Sequence, residues 1–184
     1  KHVKIKTNLL IGLESMSSLV VDPQEMQTYC ESLGIDIIGV APVESMGGGW
    51  FKAHADVAKE WVKEGKHAEM TWFANKLEER CIPELLLPGV SHAVVLWMHY
   101  RFERPARPQY VTAQVARYAW GRDYHNILRK IIRKLSKWIK ERVPNAKLHG
   151  SVDTSPVLER AYAERASVGW IGKSTMLFHP RLGT

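Results

Sequence analysis

The chain has 184 residues, of which 45% are hydrophobic and 24% charged, and its formal net charge is +7. These values indicate one globular domain with a real core, and no apolar run reaches the 18 or more residues that would predict a transmembrane helix. The excess of positive charge favours a polyanionic partner. Because Cys30 and Cys81 follow no metal-binding spacing, we expect a reducing, cytoplasmic environment. We also expect a monomer without membrane contact.

The first segment of the chain, residues 1–21, differs from the remainder. A basic start is followed by the short apolar run of residues 9–13, which is too short for a secretory signal and is not followed by a convincing cleavage site. We therefore interpret residues 1–21 as an extension or leader and residues 22–184 as the folded domain.

Hydrophobic periodicity and turn residues predict the elements of this domain. Helices are expected at 23–33, 51–64, 67–77, 126–143 and 156–166, strands at 35–43, 92–100, 147–152 and 171–178, and a basic surface loop at 101–108. Asp22 is suited to cap the first helix and Gly34 to end it, whereas Thr154 or Ser155 is suited to cap the last. Because the elements show no regular βαβ rhythm, we predict an α+β fold with a central mixed sheet flanked by helices.

Asp153 is the first candidate for chemistry, because it follows the predicted strand 147–152 and precedes a helix. Side chains at such a boundary project into clefts. A plain turn or helix-cap role is common for aspartate, but Thr154 and Ser155 already supply cap oxygens here. A general acid is the alternative role. An apolar pocket would favour the protonated form of Asp153 and the nearby helix N-terminus the ionised form, so both roles stay open.

An acid, a phenol and an imidazole follow one another at Asp123, Tyr124 and His125, just before the amphipathic helix 126–143. Together they are able to relay protons or to orient a substrate. The alternative is that Asp123 caps the helix while Tyr124 and His125 make local packing and hydrogen-bonding contacts.

The same helix carries an almost uniformly positive face, which only Asp123 and Glu141 oppose between residues 122 and 147. The candidate phosphate-binding residues are Arg122, Arg129, Lys130, Arg133, Lys134 and Lys137. Solvated helix faces usually mix both signs, so this pattern indicates sequence-independent contact with nucleic-acid phosphates. An ordinary exposed helix face is the alternative.

Residues 167–174, SVGWIGKS, nearly match a nucleotide-binding P-loop, but Ser167 stands where the motif needs glycine. The motif also needs a strand before it and a helix after it, and the predicted order here is the reverse. We therefore reject nucleotide hydrolysis and expect the glycines to allow close approach of a cofactor or a strand. The eight histidines are scattered, and no metal site is predicted.

Several motifs of the sequence occur in the same order in one known family. They are EMTWF at 69–73, Arg80, LLLPG at 85–89, GRDYH at 121–125, VDTSPVLER at 152–160, AERA at 163–166 and GWIGK at 169–173. From about residue 24 to residue 184, the chain resembles the epoxyqueuosine reductases. The resemblance implies an oxidoreductase of tRNA modification, which removes the epoxide oxygen of epoxyqueuosine to leave queuosine in the anticodon loop.

The resemblance also implies roles for individual residues. Asp153 matches the family's proposed proton donor, and Asp123 and His125 match polar residues beside the cofactor and the substrate. The expected cofactor is cob(II)alamin, held in a nitroreductase-like domain. The residues that the resemblance implies as cofactor contacts are Arg80, Tyr124, Arg160, Gly172, Lys173 and Ser174.

One property of the family has no counterpart in this sequence. The family's ferredoxin-like domain holds two [4Fe–4S] clusters on clustered cysteines, whereas this chain has only Cys30 and Cys81. We therefore expect the cobalamin-binding domain alone, with an iron–sulfur domain supplied in cis or in trans. Two other functions stay open at this point: a non-catalytic basic RNA-binding module, and a corrinoid or flavin reductase acting on a small molecule.

Overall fold

A computed structural model of the chain describes residues 4–12, 21–43, 49–99, 119 and 121–183. The strands are β1 (Lys4–Gly12), β2 (Ile37–Pro42), β3 (Val90–His99), β4 (Lys147–Ser151), β5 (Trp170–Ile171) and β6 (Leu177–Phe178). The helices are α1 (Pro23–Ser32), α2 (Gly49–Lys63), α3 (Thr71–Ala74), α4 (Leu77–Cys81), α5 (Tyr124–Arg142) and α6 (Glu159–Arg165), with a 3-10 turn at Pro83–Leu85. Within the described ranges, every helix is too short or too polar to span a bilayer.

Among the described residues, four strands form one sheet in the order β2-β3-β1-β4, and every neighbouring pair in it is antiparallel. The predicted α+β fold with a central sheet is confirmed, but the prediction of a mixed sheet is wrong. Strands β3 and β4 do run in the same direction. They are not neighbours, however, because β1 lies between them and is antiparallel to both.

Strand β1 therefore has an interior position in the sheet. It pairs with β3 along its whole length and with β4 over residues 8–12. Leu10 and Ile11 are buried in the cores on opposite faces of the sheet. The prediction that residues 1–21 lie outside the domain is thus wrong for residues 4–12. Burial on both faces explains the apolar run that the sequence analysis compared with a signal segment.

Helices cover both faces of the sheet. Strand β3 shows this most clearly, because Val94 and Leu96 belong to the core that contains α1 and α5, whereas Val95 and Trp97 belong to the core that contains α2 and α6. The buried residues of α5 are Leu128, Ile131, Ile132, Leu135, Trp138 and Ile139. This packing leaves the opposite, basic side of α5 exposed.

The long periodic elements agree with their predicted bounds to within two residues. This holds for α1 and α5 among the helices and for β2, β3 and β4 among the strands. Asp22 caps α1 as predicted, since its Oδ1 accepts a hydrogen bond from Gln24 N at 2.8 Å. The loop predicted at 101–108 lies outside the described residues.

Three shorter predictions differ from the structure. The single helix expected at 67–77 is replaced by α3 and α4, after Ala68 adopts a left-handed φ of 48°. The strand expected at 171–178 is the hairpin β5–β6, which turns back at Thr175 with φ 61°. Helix α6 begins at Glu159 rather than at residue 156, and its N-cap Leu158 makes no side-chain cap hydrogen bond. The prediction that Thr154 or Ser155 caps it is therefore wrong.

Candidate active site

Asp153 lies in the irregular connection between β4 and α6, residues 152–158, which we call the 152–158 turn. Its φ of 53° is in the left-handed region, where aspartate is less disfavoured than most side chains. The Glu159 Oε1 atom accepts hydrogen bonds from the Asp153 amide and from Ser151 Oγ, both at 3.3 Å. Asp153 is thus a turn residue, and the helix-cap alternative for it is wrong.

The first residues of α5 meet Asp153 across the sequence. The Tyr124 hydroxyl donates a hydrogen bond to Asp153 Oδ2, and the Tyr124 ring stacks on the His125 imidazole with centroids 4.1 Å apart. His125 Nε2 lies 3.8 Å from Asp153 Oδ2. The side chains of His125 and Asp153 are 26% and 47% exposed, so the cluster is open to solvent and to a ligand.

Asp123 caps α5, as one of the two alternatives predicted, and it also contacts the His125 ring. It caps α5 by accepting a hydrogen bond from the His125 amide at 2.9 Å, and the same Oδ1 atom lies 2.8 Å from His125 Nδ1. The hydrogen bonds from the His125 ring and amide lower the pKa of Asp123 below its usual range. An ionised acceptor at Nδ1 favours the imidazole form with its hydrogen on Nδ1 and leaves Nε2 directed toward Asp153.

A pocket of about 350 Å³ opens beside this cluster, and Asp153 is one of its lining residues. Arg80 and Arg160 line the same pocket, together with the rings of Trp72 and Phe73. The structure therefore brings three of the predicted site residues, Arg80 and two residues of the motif 152–160, to one cavity.

Arg80 is the most deeply buried charged residue of the pocket, with 7% exposure. Its guanidinium lies 4.4 Å from the centroid of the Phe73 ring and 5.3 Å from that of Trp72. Burial lowers the pKa of Arg80, and the negative charge of Glu159 partly opposes that effect. Within the part of the chain that the structure describes, Arg80 Nε has no hydrogen-bond partner. A buried donor of this kind has the capacity to bind an acceptor on a ligand.

The β5–β6 hairpin forms another wall of the pocket through Ile171 and Thr175. Arg160 attaches this wall to α6, because its Nη1 donates to the Thr175 carbonyl and, at 3.2 Å, to Thr175 Oγ1. A Cβ at Gly172 would lie 2.4 Å from Phe178 Cε2, so this glycine is required by packing within the hairpin. Lys173 and Ser174 are exposed. Gly172, Lys173 and Ser174 do not line the pocket, and their cofactor role stays a prediction.

The predicted phosphate-binding residues lie together on the exposed side of α5 and just before it. The exposed set is Arg122, Arg129, Lys130, Arg133, Lys134 and Lys137, which we call the basic face. Lys137 lies 3.9 Å from Glu141, so one positive charge of the basic face is partly balanced. Because Tyr124 begins the same helix and contacts Asp153, the basic face starts next to the pocket.

Glu159 and Trp72 are among the pocket residues that had no predicted role. Glu159 is the first residue of α6, and an acid at that position is also explained by the helix dipole. Trp72 is 58% exposed on the short helix α3. Apart from the motifs that contain them, the sequence carries no signal for either residue, because their role depends on elements that meet only in the folded chain.

An acid–base cluster beside a partly apolar pocket lined by two arginines and two acids, carried on an α+β domain, is typical of a ligand-binding domain of an enzyme. Residues 80–154 match the protein-family model described as "Epoxyqueuosine reductase QueG, DUF1730". The epoxyqueuosine reductase of Synechococcus sp. (strain CC9605) is 33% identical over 151 residues, which cover 82% of this chain and 45% of that protein. The Pseudomonas aeruginosa epoxyqueuosine reductase is 34% identical over 165 residues, which cover 88% and 44%.

Solved structures agree with these sequence comparisons. Epoxyqueuosine reductase from Streptococcus thermophilus superposes with a TM-score of 0.76 at 26% identity, covering 88% of this chain and 43% of that one. An epoxyqueuosine reductase solved with an epoxyqueuosine-modified tRNA-Tyr stem loop gives 0.64 at 25% identity, covering 87% and 42%. The predicted resemblance is confirmed: the chain belongs with the epoxyqueuosine reductases and spans less than half the length of the curated relatives described above.

Proposed function

We propose that this chain is the cobalamin-binding part of an epoxyqueuosine reductase, which reduces epoxyqueuosine to queuosine in the anticodon loop of tRNA. The observation that carries the proposal is Asp153, which lines a pocket together with two arginines while Tyr124 and His125 lie beside its carboxyl group. Because the chain covers less than half of each relative, the complete reaction is proposed for this chain acting with an iron–sulfur domain, in cis or in trans.

The chemistry of the pocket lining fits a corrinoid. Cobalamin has a flat macrocycle with apolar faces, and its edge carries amide groups, which accept and donate hydrogen bonds, and a phosphate, which accepts them. Trp72 and Phe73 offer apolar surface, and Arg80 Nε, which has no partner among the described residues, offers a donor. The residues proposed to hold the cofactor, as cob(II)alamin, are Arg80, Tyr124, Arg160, Gly172, Lys173 and Ser174. The nitroreductase-like character of the domain is part of this proposal.

The reaction converts an epoxide to an alkene, so it consumes two electrons and two protons and releases the oxygen as water. When bound, cobalamin would supply the two electrons, and an iron–sulfur domain with two [4Fe–4S] clusters would be their source. Asp153 donates a proton to the epoxide oxygen while the C–O bond breaks. Tyr124 keeps the Asp153 carboxyl at the pocket. His125, aligned by Asp123, returns a proton to Asp153 when the imidazole carries hydrogen on both nitrogens, and the solvent to which the cluster is open then supplies a new proton to the ring.

The basic face is proposed to bind the tRNA backbone. Its charges are exposed and begin beside the pocket, so phosphates held along α5 would direct the anticodon loop to Asp153. Phosphate contacts position a nucleic acid without reading its sequence, and an unstacked base of a single-stranded loop is able to enter a pocket. The relative solved with a modified tRNA stem loop supports this choice of partner. A cytoplasmic location and a monomeric state stay predictions.

Anaerobic titration of the purified chain with cob(II)alamin tests the cofactor proposal. We expect a visible spectral change, and we expect Arg160→Gln to weaken binding about tenfold, because it removes a charged hydrogen-bond donor. Arg165→Gln is the matched control, since Arg165 is on the same helix but does not line the pocket. If addition of the folded protein leaves the cobalamin spectrum unchanged, the proposal is contradicted.

The proton-donor role requires a test in the complete enzyme. Asp153→Asn keeps the size of the side chain and tolerates the positive φ at this position, but it has no carboxyl proton to give. We expect loss of turnover with unchanged cobalamin binding. Turnover equal to that of the wild type would remove Asp153 from the mechanism.

A second candidate function, a non-catalytic RNA-binding module, is favoured by the basic face alone. Fluorescence anisotropy of a labelled anticodon stem loop separates the two functions when it is combined with the cobalamin titration. Removing two charges with Arg129→Gln and Arg133→Gln should lower the slope of log K against log[salt] by about 1.4 to 1.8, and Lys63→Gln on α2 is the control. RNA binding without cobalamin uptake favours the module, whereas cobalamin binding without RNA affinity favours a small-molecule reductase.

A further inference from the structure

The backbone of Asp153 needs an external restraint. Its φ of 53° is one that side chains other than glycine rarely adopt, and the 152–158 turn in which it lies belongs to no helix or strand. A proton donor must nevertheless hold its carboxyl group at a fixed place, because small displacements of a catalytic group lower the rate strongly. The contacts that hold this turn are therefore of functional interest.

Glu159 makes the contacts that fix the backbone of the turn. Its Oε1 atom accepts a hydrogen bond from the Asp153 amide and another from Ser151 Oγ, each at 3.3 Å. Ser151 is fully buried and is the last residue of β4. The Glu159 carboxylate therefore connects the rigid end of the central sheet with the amide of the catalytic candidate.

Glu159 is also a lining residue of the pocket. Glu159 starts α6 and lines the cavity together with Arg80 and Asp153. Glu159 stabilises the charged form of the buried Arg80 guanidinium. The carboxylate that accepts both hydrogen bonds therefore also interacts electrostatically with Arg80.

We propose that Glu159 is a positioning residue, which holds the Asp153 amide and thereby keeps the Asp153 carboxyl group at the pocket. Its catalytic meaning rests on the proposed function, but the positioning itself does not. Tyr124 holds the carboxylate end of Asp153 and Glu159 holds the backbone end. The two contacts come from different helices, so a substitution can remove either contact and leave the other in place.

Amide hydrogen exchange measured by NMR on the purified chain tests the positioning. We expect Glu159→Ala to accelerate exchange of the Asp153 amide about tenfold, the equilibrium weight of one net hydrogen bond, while the amides of β3 keep their protection. Glu159→Gln retains a carbonyl acceptor and should recover most of the protection. Glu60→Ala on α2 is the control, because Glu60 is exposed and pairs with Lys63 at the surface.

If the Asp153 amide exchanges equally fast in the wild type and in folded Glu159→Ala, the proposal is overturned. Where Glu159→Ala does not fold, Glu159→Asp replaces it, since it keeps the charge but shortens the reach. Faster exchange at Asp153 in Glu159→Asp than in Glu159→Gln then supports positioning by the Glu159 side chain. Equal protection in the two variants excludes it.

Turnover in the complete enzyme distinguishes this inference from the proposed function. With both correct, Glu159→Ala lowers kcat more than it changes KM, and Glu159→Gln restores part of kcat. If exchange at Asp153 rises in Glu159→Ala but kcat does not fall, Glu159 positions Asp153 as inferred and the proton-donor role fails. If kcat falls while exchange at Asp153 is unchanged, the positioning inference fails and the proposed function survives.

Discussion

The hydrogen bond from Tyr124 to Asp153 offers a sharp test of the active-site geometry, because it joins two segments 29 residues apart in sequence. Tyr124→Phe removes one hydroxyl group and keeps the ring that stacks on His125. A hydrogen bond to a charged group contributes about 1.5 to 3 kcal/mol when it is protected from water. Asp153 is about half exposed, so water replaces part of that energy, and we expect a coupling of about 1 kcal/mol.

Urea unfolding of a double-mutant cycle measures this coupling. The four proteins are the wild type, Tyr124→Phe, Asp153→Ala and the double variant. Alanine at a φ of 53° adds its own backbone strain, but this cost appears on both sides of the cycle and cancels. Equal denaturant slopes would show that the unfolded states are comparable. If the two single effects add to within about 0.3 kcal/mol, the two side chains do not interact and the geometry of the site is wrong.

Three further predictions concern ionisation and packing. Burial raises the pKa of Cys30 to about 11, with a smaller contribution from Glu31. The neutral Cys30 thiol therefore contributes its full stabilisation below pH 9, and this contribution is lost as the pH rises through 11. Over that range, the unfolding free energy of the wild type should fall by roughly 2 to 3 kcal/mol relative to the unfolding free energy of Cys30→Ala. The pKa of Asp123 is lowered in the folded protein, so this residue stabilises the fold at pH values above the usual carboxyl range. That contribution disappears as the pH falls through the folded pKa. In acid titrations followed by circular dichroism, Asp123→Asn should lack this loss of stability. Gly150→Ala would place a Cβ 2.5 Å from Ile132 Cγ2, so the Ile132 side chain or α5 must shift. Urea unfolding should show a loss of about 1 to 3 kcal/mol, and an unchanged midpoint would mean that this contact is not tight.

Elements with long periodic patterns were predictable from the sequence. Helix α5 keeps apolar residues on one face over nineteen residues, and such a pattern reports burial of that face directly. The same pattern predicted where the basic face lies. Short elements carried weaker patterns, and α3, α4 and the β5–β6 hairpin were predicted with wrong type or extent, because a few residues do not distinguish between a turn, a helix and a strand.

The candidate site was predictable in its residues but not in its contacts. The sequence motifs identified Arg80 in one segment and Asp153 and Arg160 in another, and the structure places all three around one cavity. The hydrogen-bond partners of Asp153 were not predicted. Tyr124, predicted as a cofactor contact, also hydrogen-bonds Asp153, and Glu159 lies in a recognised motif but had no predicted role. Such pairings depend on how β4, α5 and α6 are oriented, which no local pattern encodes.

For this protein, the sequence alone determined the α+β class, the bounds of its longest helices and strands, the basic face and the family resemblance. These properties follow from the burial of individual residues and from residue types in order along the chain. Only the tertiary structure decided that β1 lies inside the sheet, that the sheet is antiparallel and that Glu159 reaches back to the Asp153 amide. The physical reason is that strand pairing and side-chain contacts join residues distant in sequence, and their geometry exists only when the whole core is packed.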